Sequence, residues 1–266
     1  MRQPVGHYPG LRTWTALFFV FLYVPMVVLV AYSFNANKLA MIWGGLSVHW
    51  YVKVVSSSGI AEAAANSMIV AVIATTIAMV IAVAAALVLV RETRFKGASP
   101  STALISMPLV VPEIVTAVAT LMFFVMLKNW LGFDLGIGNV VIAHSVFCIP
   151  FAFMPIRARL QDMDVALEQA ARDLYASPWN AFRYVTLPLL MPGVVAGAML
   201  AFVISLDDFI ITQMISGPGT TTLPVYIYSM IRNGISPEVN AASTILIAIS
   251  TALVTAYWYV SRPAKN

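Results

Sequence analysis

Residues 61–90 decide the fold class: they read AEAAANSMIVAVIATTIAMVIAVAAALVLV and contain one charged residue, Glu62. A helix needs about 20 apolar residues to cross the hydrocarbon core of a bilayer, and this stretch exceeds that length. Of the 266 residues in the chain, 61% are hydrophobic and 10% are charged, against about 45–50% and about 25% in soluble domains. The composition excludes a soluble enzyme, a disordered segment and a secreted disulfide scaffold.

Five more apolar segments accompany this stretch, and the sequence therefore predicts an all-α polytopic membrane protein with six transmembrane helices. The predicted spans are 14–34, 61–90, 103–127, 140–156, 187–215 and 239–260. Residues 1–266 are predicted to form a single transmembrane domain, with the six-span bundle over 14–260. The first span is longer than the apolar core of a signal peptide, so we expect it to be retained.

The basic residues predict the orientation of the bundle. Eleven of the fifteen Lys and Arg residues lie in the two tails and in the loops after the second and fourth spans. Because cytoplasmic loops carry an excess of Lys and Arg, both termini are expected in the cytoplasm. The net charge of +4 is explained by this bias, and no nucleic-acid partner is expected. Cys148 is the single cysteine, so no internal disulfide and no cysteine metal site is expected.

The loop after the fourth span, residues 157–187, contains two amphipathic stretches. Asp164 is placed to cap a first helix, and Ser177, followed by proline, is placed to start a second. Glu168 and Arg172 are four residues apart and are predicted to pair. An apolar helix edge outside the bilayer must pack against the ends of the protein's own bundle or in the groove of a soluble partner.

This segment resembles the EAA loop of importer permeases in the ATP-binding cassette (ABC) family. The family pattern is Glu-Ala-Ala, three residues, Gly, nine residues, Ile, one residue and Leu-Pro, and the chain keeps this spacing throughout. Gln169 replaces the glutamate, with Glu168 one place earlier to supply the charge. Tyr175 replaces the glycine, and it puts the turn geometry in question because glycine alone adopts left-handed backbone readily. The resemblance assigns coupling to an ATPase to Glu168, Gln169, Ala170, Ala171, Leu174, Tyr175, Ala176, Val185, Leu187 and Pro188.

Further motifs resemble the second permease of spermidine/putrescine importers. They are PLVVPEIV at 108–115, SLDDF at 205–209, GPG at 217–219, LP at 223–224, YSM at 228–230 and SPEVNA at 236–241. The resemblance implies a type I ABC importer permease in a bacterial inner membrane. It also implies a second, different permease, two ATPase subunits and a soluble binding protein as partners. The chain has no G-x-x-x-x-G-K-[ST] phosphate loop, so ATP and Mg²⁺ are expected in the ATPase partner, and no cofactor or enzyme activity is expected here.

Besides Glu62, which lies at the start of its span, three acidic residues fall within predicted spans: Glu113, Asp207 and Asp208. An ionisable side chain at the centre of a membrane helix costs roughly 2.5–3.5 kcal/mol, and such residues mark substrate or ion paths. These carboxylates favour a path for a cation, and Tyr226 and Tyr228 could stack on its ammonium groups. The alternatives are that the aspartates are solvated, cap a broken helix or pair with the second permease. Glu113 could equally bond backbone groups that Pro112 leaves free.

The sequence therefore predicts a permease subunit that moves a small organic cation, of the putrescine or spermidine type, into the cytoplasm. One alternative is an ABC permease for another substrate. A second is a proton-coupled transporter or channel that uses Asp207 or Glu113, and a third is a membrane scaffold. No HExxH motif, nucleophile elbow or cluster of metal ligands occurs in the sequence, so neither a catalytic nor a metal site is expected.

Overall fold

Helices make up nearly all of the regular structure in the computed structural model, which describes residues 10–39, 42–92, 95–132, 134–232, 234 and 236–260. In chain order they are α1 Leu11–Ser33, α2 His49–Ser56, α3 Ser58–Arg91, α4 Ala98–Val110, α5 Glu113–Leu131, α6 Ile137–Asp162, α7 Val165–Asp173, α8 Pro178–Ala181, a π-helical turn Phe182–Thr186, α9 Leu187–Asp207, α10 Ile210–Ile215, α11 Leu223–Arg232 and α12 Pro237–Val260. Six helical segments of this part of the chain are long and apolar enough to cross a membrane. The predicted all-α, six-span fold is confirmed.

The chain divides into two compact units, one of residues 1–57 with 227–248 and the other of residues 58–226 with 249–266. In the first unit, the buried Asn35 side chain organises the loop after α1. Its Oδ1 accepts the N–H of Gly44 at 2.8 Å, and its Nδ2 donates to the carbonyl of Ile42 at 2.7 Å. The Trp50 indole donates to the Asn35 carbonyl at 2.8 Å. One asparagine thus connects both ends of this loop.

In the second unit, α3, α6 and α9 pack against one another and form the core. Ala78, Ala82 and Ala86 recur every fourth residue on α3 and are fully buried. Residues four apart lie on one face of a helix, so these alanines form a smooth strip. Lipid is as apolar as the side chains, and close packing through small residues therefore drives association of helices in a membrane.

Two glycines on α9 allow its backbone to pack directly against α6. A Cβ on Gly197 would lie 2.6 Å from the carbonyl oxygen of Ala152, and one on Gly193 would lie 2.7 Å from Cβ of Arg159. The Arg159 Nε also donates to the carbonyl of Leu189 at 2.9 Å. We call Ala78, Ala82, Ala86, Gly193 and Gly197 the small-residue seam.

Two predicted spans have different boundaries in the structure. The predicted span 103–127 is interrupted, because α4 ends at Val110 and α5 starts at Glu113. Proline disfavours helical backbone in the residue before it, which explains a break at Val111 and Pro112. The predicted span 187–215 begins earlier, at Pro178, and ends at Asp207. There Asp208 adopts extended backbone before the short helix α10.

The loop between α6 and α9 agrees with the prediction in part. Asp164 caps α7 by accepting from the N–H of Ala166 at 2.9 Å, and Ser177 accepts from the N–H of Asn180 at 3.3 Å. The second predicted helix, however, is not separate, since α8 continues through the π-helical turn into α9. Tyr175 has φ 58°, the left-handed conformation. It therefore adopts a conformation that glycine favours, despite its side chain.

Candidate functional site

The helix α7 leaves its apolar edge uncovered. Of its nine residues, only Glu168 and Ala171 are partly covered. Leu174, directly after the helix, is 82% exposed, and Tyr175 is 97% exposed. An edge of this kind fits the amphipathic helix that lies in a partner's groove, and the described part of the chain leaves Leu174 and Tyr175 almost fully exposed.

Glu168 connects α7 to the rest of the subunit through polar contacts. Its ion-pair partner is Arg91 and not the predicted Arg172. Its carboxylate lies 3.1 Å from Nε of Arg91, the last residue of α3. The hydroxyl of Thr186 donates to Oε1 of Glu168 at 3.2 Å. The predicted pair of Glu168 with Arg172 is wrong, because Arg172 is exposed and the carboxylate faces the end of α3. Gln169, at the family's glutamate position, is exposed as well.

The other predicted coupling residues lie in two places along the loop. Ala170 belongs to α7, and Ala176 follows the left-handed Tyr175 and donates its N–H to the carbonyl of Ala171 at 3.0 Å. Val185 lies in the π-helical turn, and Leu187 and Pro188 begin α9. The EAA-like segment therefore comprises the mostly exposed helix α7 and the first turns of the fifth span. The assignment of these residues to ATPase coupling stays a prediction.

The carboxylate of Asp208 is buried and organises the second helix break. Its Oδ2 accepts from the backbone N–H and from the hydroxyl of Thr212, both at 2.9 Å. It therefore satisfies one of the free N–H groups at the start of α10, as a capping residue does. Its other oxygen, Oδ1, is buried and has no hydrogen-bond partner among the described residues. Of the alternatives for Asp208, the geometry matches the cap of a broken helix.

His144 on α6 completes the buried cluster around Asp208. Its Nδ1 lies 2.8 Å from the Ser205 hydroxyl, and its Nε2 lies 2.8 Å from the Thr212 hydroxyl and 3.2 Å from Asp208 Oδ2. Thr212 gives its single hydroxyl hydrogen to Asp208, so it must accept from His144. Nε2 therefore carries the proton. The sequence carries no local signal for this contact, because His144 and Thr212 are 68 positions apart.

The remaining candidate path residues occupy different surroundings. Glu113 starts α5, and its carboxyl group interacts electrostatically with Asp208. Asp207 is exposed. Tyr226 lines a cavity of about 180 Å³ together with Glu62, and Tyr228 is exposed. Within the second unit, Glu113 thus interacts with Asp208, whereas Tyr226 lines a separate cavity.

Metal binding has no candidate in the described ranges. No group of three or more His, Cys, Asp or Glu residues within them is placed to hold a metal ion. The buried cluster around Asp208 contributes one aspartate and one histidine, and its other partners are hydroxyl groups. The arrangement can hold a fixed negative charge at a helix break and orient an imidazole.

Six membrane-crossing helices, with an uncovered amphipathic helix between the fourth and fifth, define a membrane subunit of an importer. Residues 78–261 match the family described as "Binding-protein-dependent transport system inner membrane component". The chain belongs to this family. It is an ABC importer permease that crosses the inner membrane several times.

Two curated relatives from Escherichia coli (strain K12) are similar along almost the whole chain. The putrescine transport system permease protein PotI is 38% identical over 265 residues, which cover 99% of this chain and 94% of PotI. The spermidine/putrescine transport system permease protein PotC is 35% identical over 244 residues, which cover 92% of this chain and 90% of PotC.

Solved ABC transporters share the fold. A chain of the bacterial alginate ABC transporter, in complex with its alginate pentasaccharide-bound periplasmic protein, has a TM-score of 0.74 and 17% identity, with 96% of this chain and 93% of that chain covered. A chain of the MetNI methionine ABC transporter has a TM-score of 0.63 and 17% identity, with 76% and 94% covered. At this identity the likeness extends to the fold alone.

Proposed function

We propose that this chain is the permease subunit of a polyamine importer, driven by ATP hydrolysis in partner subunits. The observation that carries the proposal is the uncovered apolar edge of α7 in a chain of this transporter family. An exposed helix edge costs solubility unless a partner buries it, and a groove on an ATPase subunit would do so. Neither a channel nor a proton-coupled transporter gives this helix a comparable role.

The orientation follows from the basic residues of the tails and loops. We infer that both termini and α7 lie in the cytoplasm, where Lys and Arg are enriched in short loops. Arg91 and Arg172 belong to this group. Arg2, Arg94, Arg262 and Lys265 lie outside the described residues. An ATPase on this side would have both ATP and the exposed helix within reach.

The partners in this proposal are a second, different permease, two ATPase subunits that bind ATP and Mg²⁺, and a soluble binding protein. The family description itself names dependence on a binding protein. Relatives named as permease proteins of transport systems support a subunit that works within a larger complex. Because the sequence has no phosphate-binding loop, the chemical step takes place in the ATPase.

A cationic substrate is supported by two independent observations. The relatives PotI and PotC are named for putrescine and for spermidine/putrescine. In this chain, Glu113 lies at the break before α5, and Asp207 and Asp208 lie at the break after α9. Discontinuous helices are where transporters of several folds place substrate and ion sites. Asp207, which is exposed beside the break, is the carboxylate that a passing ammonium group would contact first.

The test is uptake of labelled putrescine and spermidine by the complete complex in liposomes, with its binding protein outside and ATP inside. Asp207→Asn should slow uptake roughly fivefold, since a lost charge–charge contact of about 1 kcal/mol corresponds to that factor. Asp162→Asn is the matched control, because Asp162 is exposed at the far end of α6. Equal uptake by the Asp207 variant and the wild type would contradict the cation path. Uptake by the chain alone under a pH gradient, without an ATPase, would contradict the ABC proposal.

A further inference from the structure

The ion pair between Arg91 and Glu168 joins two elements that are distant in sequence. Arg91 ends α3, a helix of 34 residues, and Glu168 lies in the first turn of α7, 77 positions later. Their side chains are 19% and 12% exposed. The pair is therefore largely shielded from water, and its attraction is screened much less than that of a surface pair.

Glu168 also connects α7 to the fifth span. The Thr186 hydroxyl that donates to Oε1 belongs to the last residue of the π-helical turn, directly before α9. Thr186 is buried. One carboxylate thus contacts the ends of α3 and of the π-helical turn, and α3 and α9 are two of the helices that form the small-residue seam.

The described residues do not satisfy the whole guanidinium of Arg91. Its Nη2 is buried and has no hydrogen-bond partner among the described residues. An arginine has five N–H donors, two of them on Nη2, so the described residues leave those two without a partner even in the pair. Removal of one member of a shielded pair leaves the other charge without compensation, which costs more than the pair itself contributes. A movement of α7 that carried Glu168 away would therefore pull Arg91 with it.

We propose that Arg91 and Glu168 form the link that transmits movement of α7 to α3 during transport. This inference rests on the proposed function, in which an ATPase moves α7. The two residues are positioning residues: they leave the apolar edge of Leu174 and Tyr175 to contact the ATPase. Because coupling between distant sites passes through contacts between rigid elements, a break here should separate ATP hydrolysis from uptake.

The experiment measures putrescine uptake and phosphate release in the same liposomes, for complexes that carry Arg91→Gln or Glu168→Gln. Each variant should retain its ATPase subunits on purification. Uptake per ATP hydrolysed should fall roughly tenfold, the factor that corresponds to about 1.4 kcal/mol. The control is Arg12→Gln, a charge removed from an exposed residue of α1 and outside α7, which should behave as the wild type.

The charge-swapped double variant, Arg91→Glu with Glu168→Arg, should recover most of the uptake per ATP. Unchanged uptake per ATP in both single variants would overturn the proposal, and so would failure of the swap to recover it. Loss of the ATPase subunits from the single variants would overturn it too, because the pair would then belong to the docking surface. A wild-type complex without ATP-dependent uptake would instead contradict the proposed function.

Discussion

The small-residue seam and the helix α7 differ in how closely they pack against the rest of the protein. In the seam, the backbones of neighbouring helices are in contact, and a Cβ on Gly197 would lie 2.6 Å from the carbonyl oxygen of Ala152. The helix α7 has mostly exposed residues, and an ion pair joins it to α3. Packed interiors resist deformation, whereas a helix held by few contacts can move as a unit. The difference indicates that the seam sets the architecture and α7 transmits movement.

The largest expected effect is that of Gly197→Leu in the seam. The added side chain collides with the backbone of α6, and overpacking of this kind costs about 3 kcal/mol or more. Fluorescence-detected size-exclusion chromatography and thermal melting in detergent should show a strong loss of folded subunit. Gly217→Leu is the control, since a Cβ there meets nothing within 4 Å. Normal folding of the Gly197 variant would show that the seam does not fix the helix spacing.

We expect Leu174→Asp to leave the folding of the subunit unchanged but to weaken its assembly with the ATPase strongly. Leu174 is 82% exposed in the subunit, so folding and insertion should be unchanged. In the complex, an apolar anchor is replaced by a buried charge, which costs about 2 kcal/mol or more, roughly 30-fold in affinity. The amount of ATPase that co-purifies with the variant measures this loss of affinity. Leu46→Asp, at a residue 81% exposed outside α7, is the control, and full recovery of ATPase with the Leu174 variant would refute docking at this edge.

The smallest effect is expected for Tyr175→Gly at the end of α7. Tyr175 holds φ 58°, a conformation that costs an L-residue about 1 kcal/mol and glycine nearly nothing. Its ring is almost fully exposed, so little packing is lost. Thermal melting of the isolated subunit should rise slightly or stay unchanged. A clear fall in melting temperature would show that the tyrosine side chain stabilises the turn by contacts within the subunit.

Local chemistry made part of this structure predictable. Apolar run length identified six spans, and the caps at Asp164 and Ser177 followed from residue type alone. Pro112 indicates the break before α5, although the apolar run 103–127 suggested one continuous helix. The break after Asp207 had no such signal, because no proline or glycine stands there, and the reason for it lies in contacts of Asp208 with Thr212 and His144.

The candidate site was less predictable than the fold. Glu168 has a nearby partner in sequence, Arg172, and a distant one, Arg91, and only tertiary structure decides between them. Likewise, Asp207 and Asp208 are adjacent, but one is exposed and the other is buried. Adjacent helical positions point about 100° apart, so sequence indicates that the two differ without indicating which one faces inward.

The π-helical turn Phe182–Thr186 determines how the loop is aligned with the membrane-crossing part of the same helix. Such a turn accommodates one residue more than α-helical geometry does. Conversion of its five residues to regular α-helix at unchanged length would rotate everything before it, including Trp179, by about 100° relative to α9. The π-helical turn therefore sets which way the preceding residues of the loop face relative to α9.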